Sequence, residues 1–333
     1  MTMFTPRLSR RHLLAGGASA LALAATGAHA QTGTAGAFPS GPIKMIVPFP
    51  AGTGADLTAR TFAKAMGELS GQPVVVENKA GANGVIAVQA VLAAPADGYT
   101  ILLGSNSTLS TNAALFRNLA YDPIRDLAPL TVIGRAPCVV IVPPKSPFKT
   151  LKALIAEVKK RPGQLNYGAG SPSYTLYTEW MNELAGIKAK NIPYKGASDV
   201  MNAIAGGQID YAVVDSTAAL QLIKGGRLRA LAVTDAHRST AIPDVPTSAE
   251  AGLPKFLAFN WTAAAAPAKT PAPVVQALEA LFLKAGKTEE VQETFRRQSS
   301  TSVMSTGTEM RQFQLEEIER WKRLAEATKL QVD

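Results

Sequence analysis

Four short segments carry the groups able to hold a ligand. The first is Pro48-Phe49-Pro50-Ala51-Gly52-Thr53-Gly54-Ala55-Asp56. Its glycines let the backbone turn tightly and approach a bound group closely. The spare N–H groups that open the helical pattern after it, backed by the helix dipole, favour a negative charge. Phe49, Gly52, Thr53, Gly54 and Asp56 could therefore hold a carboxylate without any arginine. The plainer reading is a strand-to-helix turn with Asp56 as the cap. The second segment, Gly104-Ser105-Asn106-Ser107-Thr108, offers the neutral hydrogen bonds of Ser105, Asn106, Ser107 and Thr108, or else ordinary helix caps. The third, Gly168-Ala169-Gly170-Ser171-Pro172-Ser173-Tyr174, repeats the design of the first through Ala169, Gly170, Ser171, Ser173 and Tyr174. Two helix N-termini facing one another would clamp the two ends of a dianion. In the fourth, Asp215-Ser216-Thr217, Asp215 accepts from a ligand hydroxyl or amine, or caps the helix that follows.

Other chemistry is thinly supplied. Cys138 is the one cysteine, so an intrachain disulfide and a thiolate zinc cluster are both excluded, and its apolar setting reads as a buried thiol. Beyond residue 30 the one histidine is His237, in a polar stretch with no Gly-x-Ser-x-Gly to accompany it. Gly52-Thr53-Gly54, with Glu77 closing the next strand, suggests a dinucleotide fingerprint, but the third glycine would stand at 57, which is Leu57. No metal and no cofactor is expected. The formal charge is +9, with no basic run interleaved with aromatics, so nucleic acid is not an expected partner.

The elements that must position these segments alternate along the chain. Short β-branched runs at Ile43–Val47, Val74–Val76 and Tyr99–Leu103 are separated by helical patterns through Leu57, Phe62, Met66 and Leu69, and through Val85, Val88 and Leu92. The rhythm repeats after a long apolar stretch at Thr131–Val142. A helix begins at Leu151, then strands near Leu165–Tyr167 and Lys190–Pro193, with helices from Pro172 and Asp199. Ile209–Val214 and Leu228–Val233 are further strands, and Thr247-Ser248-Ala249-Glu250 has capping-box spacing. A second long apolar run at Phe256–Ala266 precedes helices over Pro271–Lys284, Glu289–Arg296 and Thr308–Ala327. Two α/β units, each bracketed by a long strand, predict two lobes of mainly parallel sheet flanked by helices and joined by two crossings. The expected division is residues 39–136 plus 262–333 for one lobe and 137–261 for the other, the C-terminal helices closing the first. Ligands of such sheets bind beyond the carboxyl ends of the strands, where the four segments lie.

Residues 1–30 read as an export signal. Arg7, Arg10 and Arg11 precede a short, mildly apolar stretch from Leu13 to Ala28, and Ala28-His29-Ala30 suits cleavage before Gln31. Ser9-Arg10-Arg11-His12-Leu13-Leu14 has the form of a twin-arginine signal. The expected location is the periplasm.

Taken together, these residues resemble the extracytoplasmic receptors of tripartite tricarboxylate transporters, the Bug receptors. The resemblance rests on an ordered series. It begins with Ile46–Asp56 followed by Ala59-Arg60, Val76–Gly84 and Ala96–Thr100. It continues with Pro193–Gly196, Gly206–Asp210, Leu228–Thr234, Ile242–Thr247 and Glu250–Pro254. It implies a type II periplasmic-binding-protein fold, with lobes that close over a small carboxylate (a di- or tricarboxylate, in some members an amino acid or nicotinate-like compound, or an aromatic acid), and membrane transporter subunits as partners; a monomer is expected. It also implies that Phe49–Asp56 holds one carboxylate through backbone N–H groups and bridging waters, while Gly170–Tyr174 reads the other end. Thr53 stands where the family usually has glycine, and Tyr174 where many members have histidine. A binding protein without turnover is the expectation. An exported hydrolase or transferase on a similar frame is the alternative.

Overall fold

Strand β1 (Ile43–Val47) is Ile-Lys-Met-Ile-Val, nearly all buried, as a strand must be when helices cover both faces of its sheet. It pairs in parallel with β2 (Val74–Asn78) on one side and β3 (Thr100–Ser105) on the other. The structure is a computed structural model describing residues 38–298 and 300–331. The crossings between these strands are helices α1 (Gly54–Ser70) and α2 (Val85–Leu92). A turn of π-helix over Ser107–Thr111 leads into the short α3 (Asn112–Leu115). The sixteen-residue strand β4 (Leu127–Val142) then changes sheets part-way along its length. Through Pro137 it pairs antiparallel with β9 (Phe259–Pro267), which also pairs antiparallel with β3; from Cys138 it takes new partners, β7 (Tyr211–Asp215) and β8 (Arg229–Val233).

The second sheet continues with β5 (Asn166–Ala169) parallel to both β7 and β6 (Lys190–Pro193). The order is β2-β1-β3-β9-β4-β7-β5-β6, with β8 and β10 (Thr301–Ser302) also on β4. The fold is thus α/β and two-lobed, of the type II periplasmic-binding-protein kind, with the paired strands β4 and β9 as its crossings. Helices α4 (Leu151–Lys160) and α5 (Pro172–Ala185) cover one face of the second sheet, burying Leu151, Leu154, Leu176 and Met181. On the other face, α6 (Ala197–Ala205) and α7 (Ser216–Lys224) pack Val200, Ile204 and Ala219 against Val139 and Val214.

Helices α8 (Ala272–Gly286) and α9 (Glu289–Arg297) close on α1, where the Phe62 ring meets Phe282 at 5.8 Å and Phe295 at 6.4 Å. The last helix, α10 (Gly307–Thr328), does more than cover the first sheet. Met310 lies in the core with Ile46 and Trp261, while Trp321 and Leu324 lie in the core of α5. Burying such side chains is worth roughly 1.5–3 kcal/mol each, so α10 ties both sheets together by packing.

Local details depart from the sequence reading in instructive ways. Thr53, not Asp56, is the N-cap of α1. Helix α6 begins at Ala197 on an extended Gly196, two residues before Asp199. The reciprocal capping-box bonds of Thr247 and Glu250 form, at 2.8 and 3.2 Å, but close only a turn that ends at Gly252 with φ +96°. The export signal, its cleavage position and the twin-arginine motif lie outside the described residues.

Candidate functional site

The turn before α1 is organised by Asp56. Its side chain is 2 % exposed, and its two oxygens accept from Gly52 N–H (2.9 Å), Asn78 Nδ2 (2.9 Å) and Arg60 Nε (3.0 Å). Burial alone would push this carboxyl upward, but Arg60, Gly52 and Asn78 together outweigh it and hold it below its ordinary value. Asn78 Nδ2 also reaches Phe49 O at 3.0 Å, fixing the start of the turn. Thr53 Oγ1 caps Asp56 N–H and donates to Pro50 O. At Gly52 φ is +83°, the left-handed region that glycine enters without penalty. This leaves the N–H groups of Gly54 and Ala55, at the first two positions of α1, without an acceptor among the described residues.

The turn before α5 is built differently. Ser171 is the N-cap, but its hydroxyl makes no capping bond, and Pro172 has no N–H to satisfy. The N–H groups of Ser173 and Tyr174 have no acceptor among the described residues. Gly170 is required for space: a Cβ there would lie 2.5–2.7 Å from the backbone of Gly196 and Ala197.

Ser105–Thr108 lies beside both turns. Thr108 Oγ1 accepts from Ser105 N–H at 3.0 Å, Ser105 Oγ accepts from Ser107 N–H at 3.2 Å, and Tyr121 Oη donates to Thr108 O at 2.7 Å. The Ser107 hydroxyl meets that of Ser173 at 3.2 Å, and Thr111 meets the same Ser173 hydroxyl at 2.9 Å. Asn106 Nδ2 donates to Tyr177 Oη, which donates in turn to Phe259 O. On the other side Gly84 is wedged between Thr108 and Pro48, since a Cβ on it would lie 2.4 Å from one and 3.0 Å from the other.

Asp215 at the end of β7 caps α7, accepting from Ala218 N–H at 3.0 Å through Oδ1. Its Oδ2 accepts from Asn260 Nδ2 at 2.8 Å, and the same amide nitrogen donates to Tyr174 Oη at 2.7 Å. Burial and the Asp215 charge push the Tyr174 phenol well above its ordinary range, so it stays protonated. Two residues after Asp215, Thr217 Oγ1 donates to Gln298 O at 2.7 Å, while Gln298 Nε2 reaches Gly54 O at 3.4 Å.

The contacts close a circuit. It runs from Gly54 through Gln298 to Thr217 and Asp215, through Asn260 to Tyr174 and Ser173, and through Ser107, Thr108 and Gly84 back to Pro48. All four predicted segments are on it. Phe49, Ala169 and Gly170 contribute backbone, and Tyr177 and Trp180 are core, 0 % and 8 % exposed. The sequence pattern does not mark Asn260 or Gln298, since neither sits in a glycine turn nor at a helix start. A separate surface groove of about 660 Å³, lined in part by Lys149, Thr150, Asp244 and Glu250, contains none of the candidate residues.

Two sheets joined by paired crossing strands, with helix N-termini gathered where the sheets adjoin, define a two-lobed periplasmic binding protein. The chain belongs to the tripartite tricarboxylate transporter family of receptors, whose family model matches residues 58–330. It is 38% identical over 301 residues to protein BugT of Bordetella pertussis, covering 89% of this chain and 92% of that one. Rpa4515 of R. palustris, solved with adipate, superposes with a TM-score of 0.77 at 30% identity, covering 88% of this chain and 99% of its own. MatC of Rhodopseudomonas palustris, solved with bound malate, gives 0.73 at 29% identity, covering 86% and 99%.

Proposed function

We propose that this receptor binds a small carboxylate in the space bounded by the circuit and delivers it, chemically unchanged, to a tripartite tricarboxylate-type transporter in the membrane. The observation that carries the reading is the pair of helix starts whose N–H groups have no acceptor among the described residues, Gly54 and Ala55 on α1 and Ser173 and Tyr174 on α5, joined through Ser107 and Ser173. Such groups stabilise an anion in a low-dielectric site without a compensating cation. The adipate and malate of the two similar structures are small carboxylates and support the same class. Of the predicted residues, Phe49, Gly52, Thr53 and Asp56 shape the first grip and Gly54 supplies its N–H. Ser105, Asn106 and Thr108 brace the second segment, whose Ser107 hydroxyl borders the space. Ala169 and Gly170 carry the backbone into the second grip, where Ser171, Ser173 and Tyr174 stand, and Asp215 closes the far wall. The lobes divide at residues 136/137 and 261/262, and the leader directs the chain to the periplasm as a monomer.

Calorimetric titration with a panel of mono-, di- and tricarboxylates and aromatic acids tests the reading, with mass spectrometry of the recovered ligand. Saturable binding of one class with unchanged ligand is expected. Failure of every acid, or conversion of the ligand, would refute it.

A further inference from the structure

The two faces of the second sheet meet the first lobe in different ways. On the α5 face the joint is packed. Helix α10 sets the Trp321 ring 5.2 Å from Tyr177 and 5.7 Å from Trp180, and Trp321 and Tyr177 are 1 % and 0 % exposed. Arg323 of α10 pairs with Glu183 of α5 at 2.6 Å. The buried Glu317 carboxylate ties Trp321 to the crossing strand β9: its Oε2 accepts from the indole N–H of Trp321 (3.1 Å) and from that of Trp261 (3.4 Å). Parting the lobes here would bring buried rings into water. On the α7 face the joint is thin. Thr217 Oγ1, in the first turn of α7, donates to Gln298 O at 2.7 Å. Among the described residues no other hydrogen bond or ion pair joins α6 or α7 to the first lobe. Gln298 caps the end of α9, where helix carbonyls are left without intrahelical partners. Its side chain lies along the opening turn of α1, with Nε2 3.4 Å from Gly54 O and Oε1 accepting from Thr58 Oγ1 at 3.3 Å. Gly54 C=O and Ala55 N–H are the two ends of one peptide unit. A carboxylate held by that N–H polarises the unit and makes its oxygen a better acceptor for Gln298.

We propose that the lobes part on the α7 face, with the α10 packing against α5 as the pivot, and that Thr217 and Gln298 form the clasp that sets how long a bound acid stays. The inference rests on the carboxylate-receptor reading and assigns two positioning residues to the same site. Gln298 acts through the Gly54–Ala55 peptide, and Thr217 acts through Gln298. The clasp exists only while the lobes are together, so it stabilises that form and not the parted one. Its loss therefore speeds release and leaves capture unchanged.

The carboxylate panel that tests the receptor reading, beginning with succinate, adipate and malate, supplies the acid, and stopped-flow mixing then separates capture from release. Thr217→Val removes a hydroxyl with no other partner among the described residues and keeps the shape of the side chain. Release should become about fivefold faster, the factor one neutral hydrogen bond supplies, while capture changes by less than about twofold. Thr217→Ser restores the donor and should bring release back to within about twofold of native. A second measurement does not depend on these variants. Spin labels on Gln221 and Arg297 span the α7 face, and labels on Lys188 and Lys322 span the α5 face; all four positions are exposed, while Cys138 is buried and does not compete for label. The first distance should shorten when the acid is added, and the second should hold. Native-like release from Thr217→Val, or a Lys188–Lys322 distance that changes as much as the other, would overturn the proposal while leaving the receptor reading intact. Failure of the whole panel to bind would remove both.

Discussion

The turns before α1 and α5 look alike in sequence and are held in opposite ways. The first is tied inward: Asp56, Asn78, Thr53 and Pro50 bond to one another, and the exposed N–H groups sit on a frame finished before any ligand arrives. The second is tied outward: Ser171 is uncapped, Ser173 bonds across to Ser107 and Thr111, and Gly170 leans on Gly196. A grip for a group common to all ligands gains from rigidity, because less ordering is needed on binding. A wall that must read the variable part of the ligand gains from hydroxyls and amides whose protons can be redirected.

The sharpest way to break the comparison is through its two glycines. Gly170→Ala forces a Cβ into backbone at 2.5 Å, and overpacking of this kind costs about 1–3 kcal/mol or more. Chemical denaturation should show that loss together with weakened binding. Gly52 has open space but φ +83°, so Gly52→Asn, a residue that tolerates the left-handed region, should lose well under about 1 kcal/mol. Equal effects at the two positions would contradict the distinction between space and torsion.

Next in size is Asp56→Ala, which strands the Gly52 N–H and leaves Asn78 Nδ2 with Phe49 O alone. An orphaned group costs about 1–3 kcal/mol, and the turn also loses its tie to Arg60, so carboxylate affinity should fall about tenfold or more. The pH dependence has a definite sign. Since the folded carboxyl sits below its unfolded value of about 3.9, its contribution is complete above that value and is lost as pH falls through the folded one. Affinity in native protein should therefore hold flat from pH 7 to about pH 5, with no loss attributable to Asp56; a decline traced to Asp56 by comparison with Asp56→Asn would contradict the ordering of the two values.

Much of this was legible in the chain because it is local. The β-branched run of β1 and the Pro-started α5 follow from neighbours in sequence, and β1, β6 and the start of α5 fall where periodicity puts them. The four loops were legible too, since glycine beside a helix start is a short-range signal. The far wall was not. Asn260 lies 86 residues from Tyr174 and 45 from Asp215, and it sits in an apolar strand whose pattern marks it only as a crossing. Gln298 follows the end of α9 and reaches Gly54 from 244 residues away. The capping of α1 is ambiguous in sequence for a related reason. Thr53 and Asp56 both suit an N-cap, and only the position of Asn78 and Arg60, brought in by β2 and the helix itself, decides that Asp56 turns back to Gly52.

The smallest expected effect bears on whether the two turns act together. Ser107 and Ser173 share one hydroxyl contact at 3.2 Å, and Ser173 has a second at 2.9 Å with Thr111. In a double-mutant cycle, Ser107→Ala and Ser173→Ala should show a coupling of about 0.5–1 kcal/mol in stability, since a neutral hydrogen bond nets about that much. The same cycle in ligand affinity should show coupling of the same sign, because the contact joins the segment beside the first turn to the helix that starts at the second. Coupling in stability with strict additivity in affinity would mean that the contact only braces the fold and that the two grips work independently. Thr111→Ala separates the contributions: its partner Ser173 keeps the Ser107 contact, so affinity should change by less than about twofold.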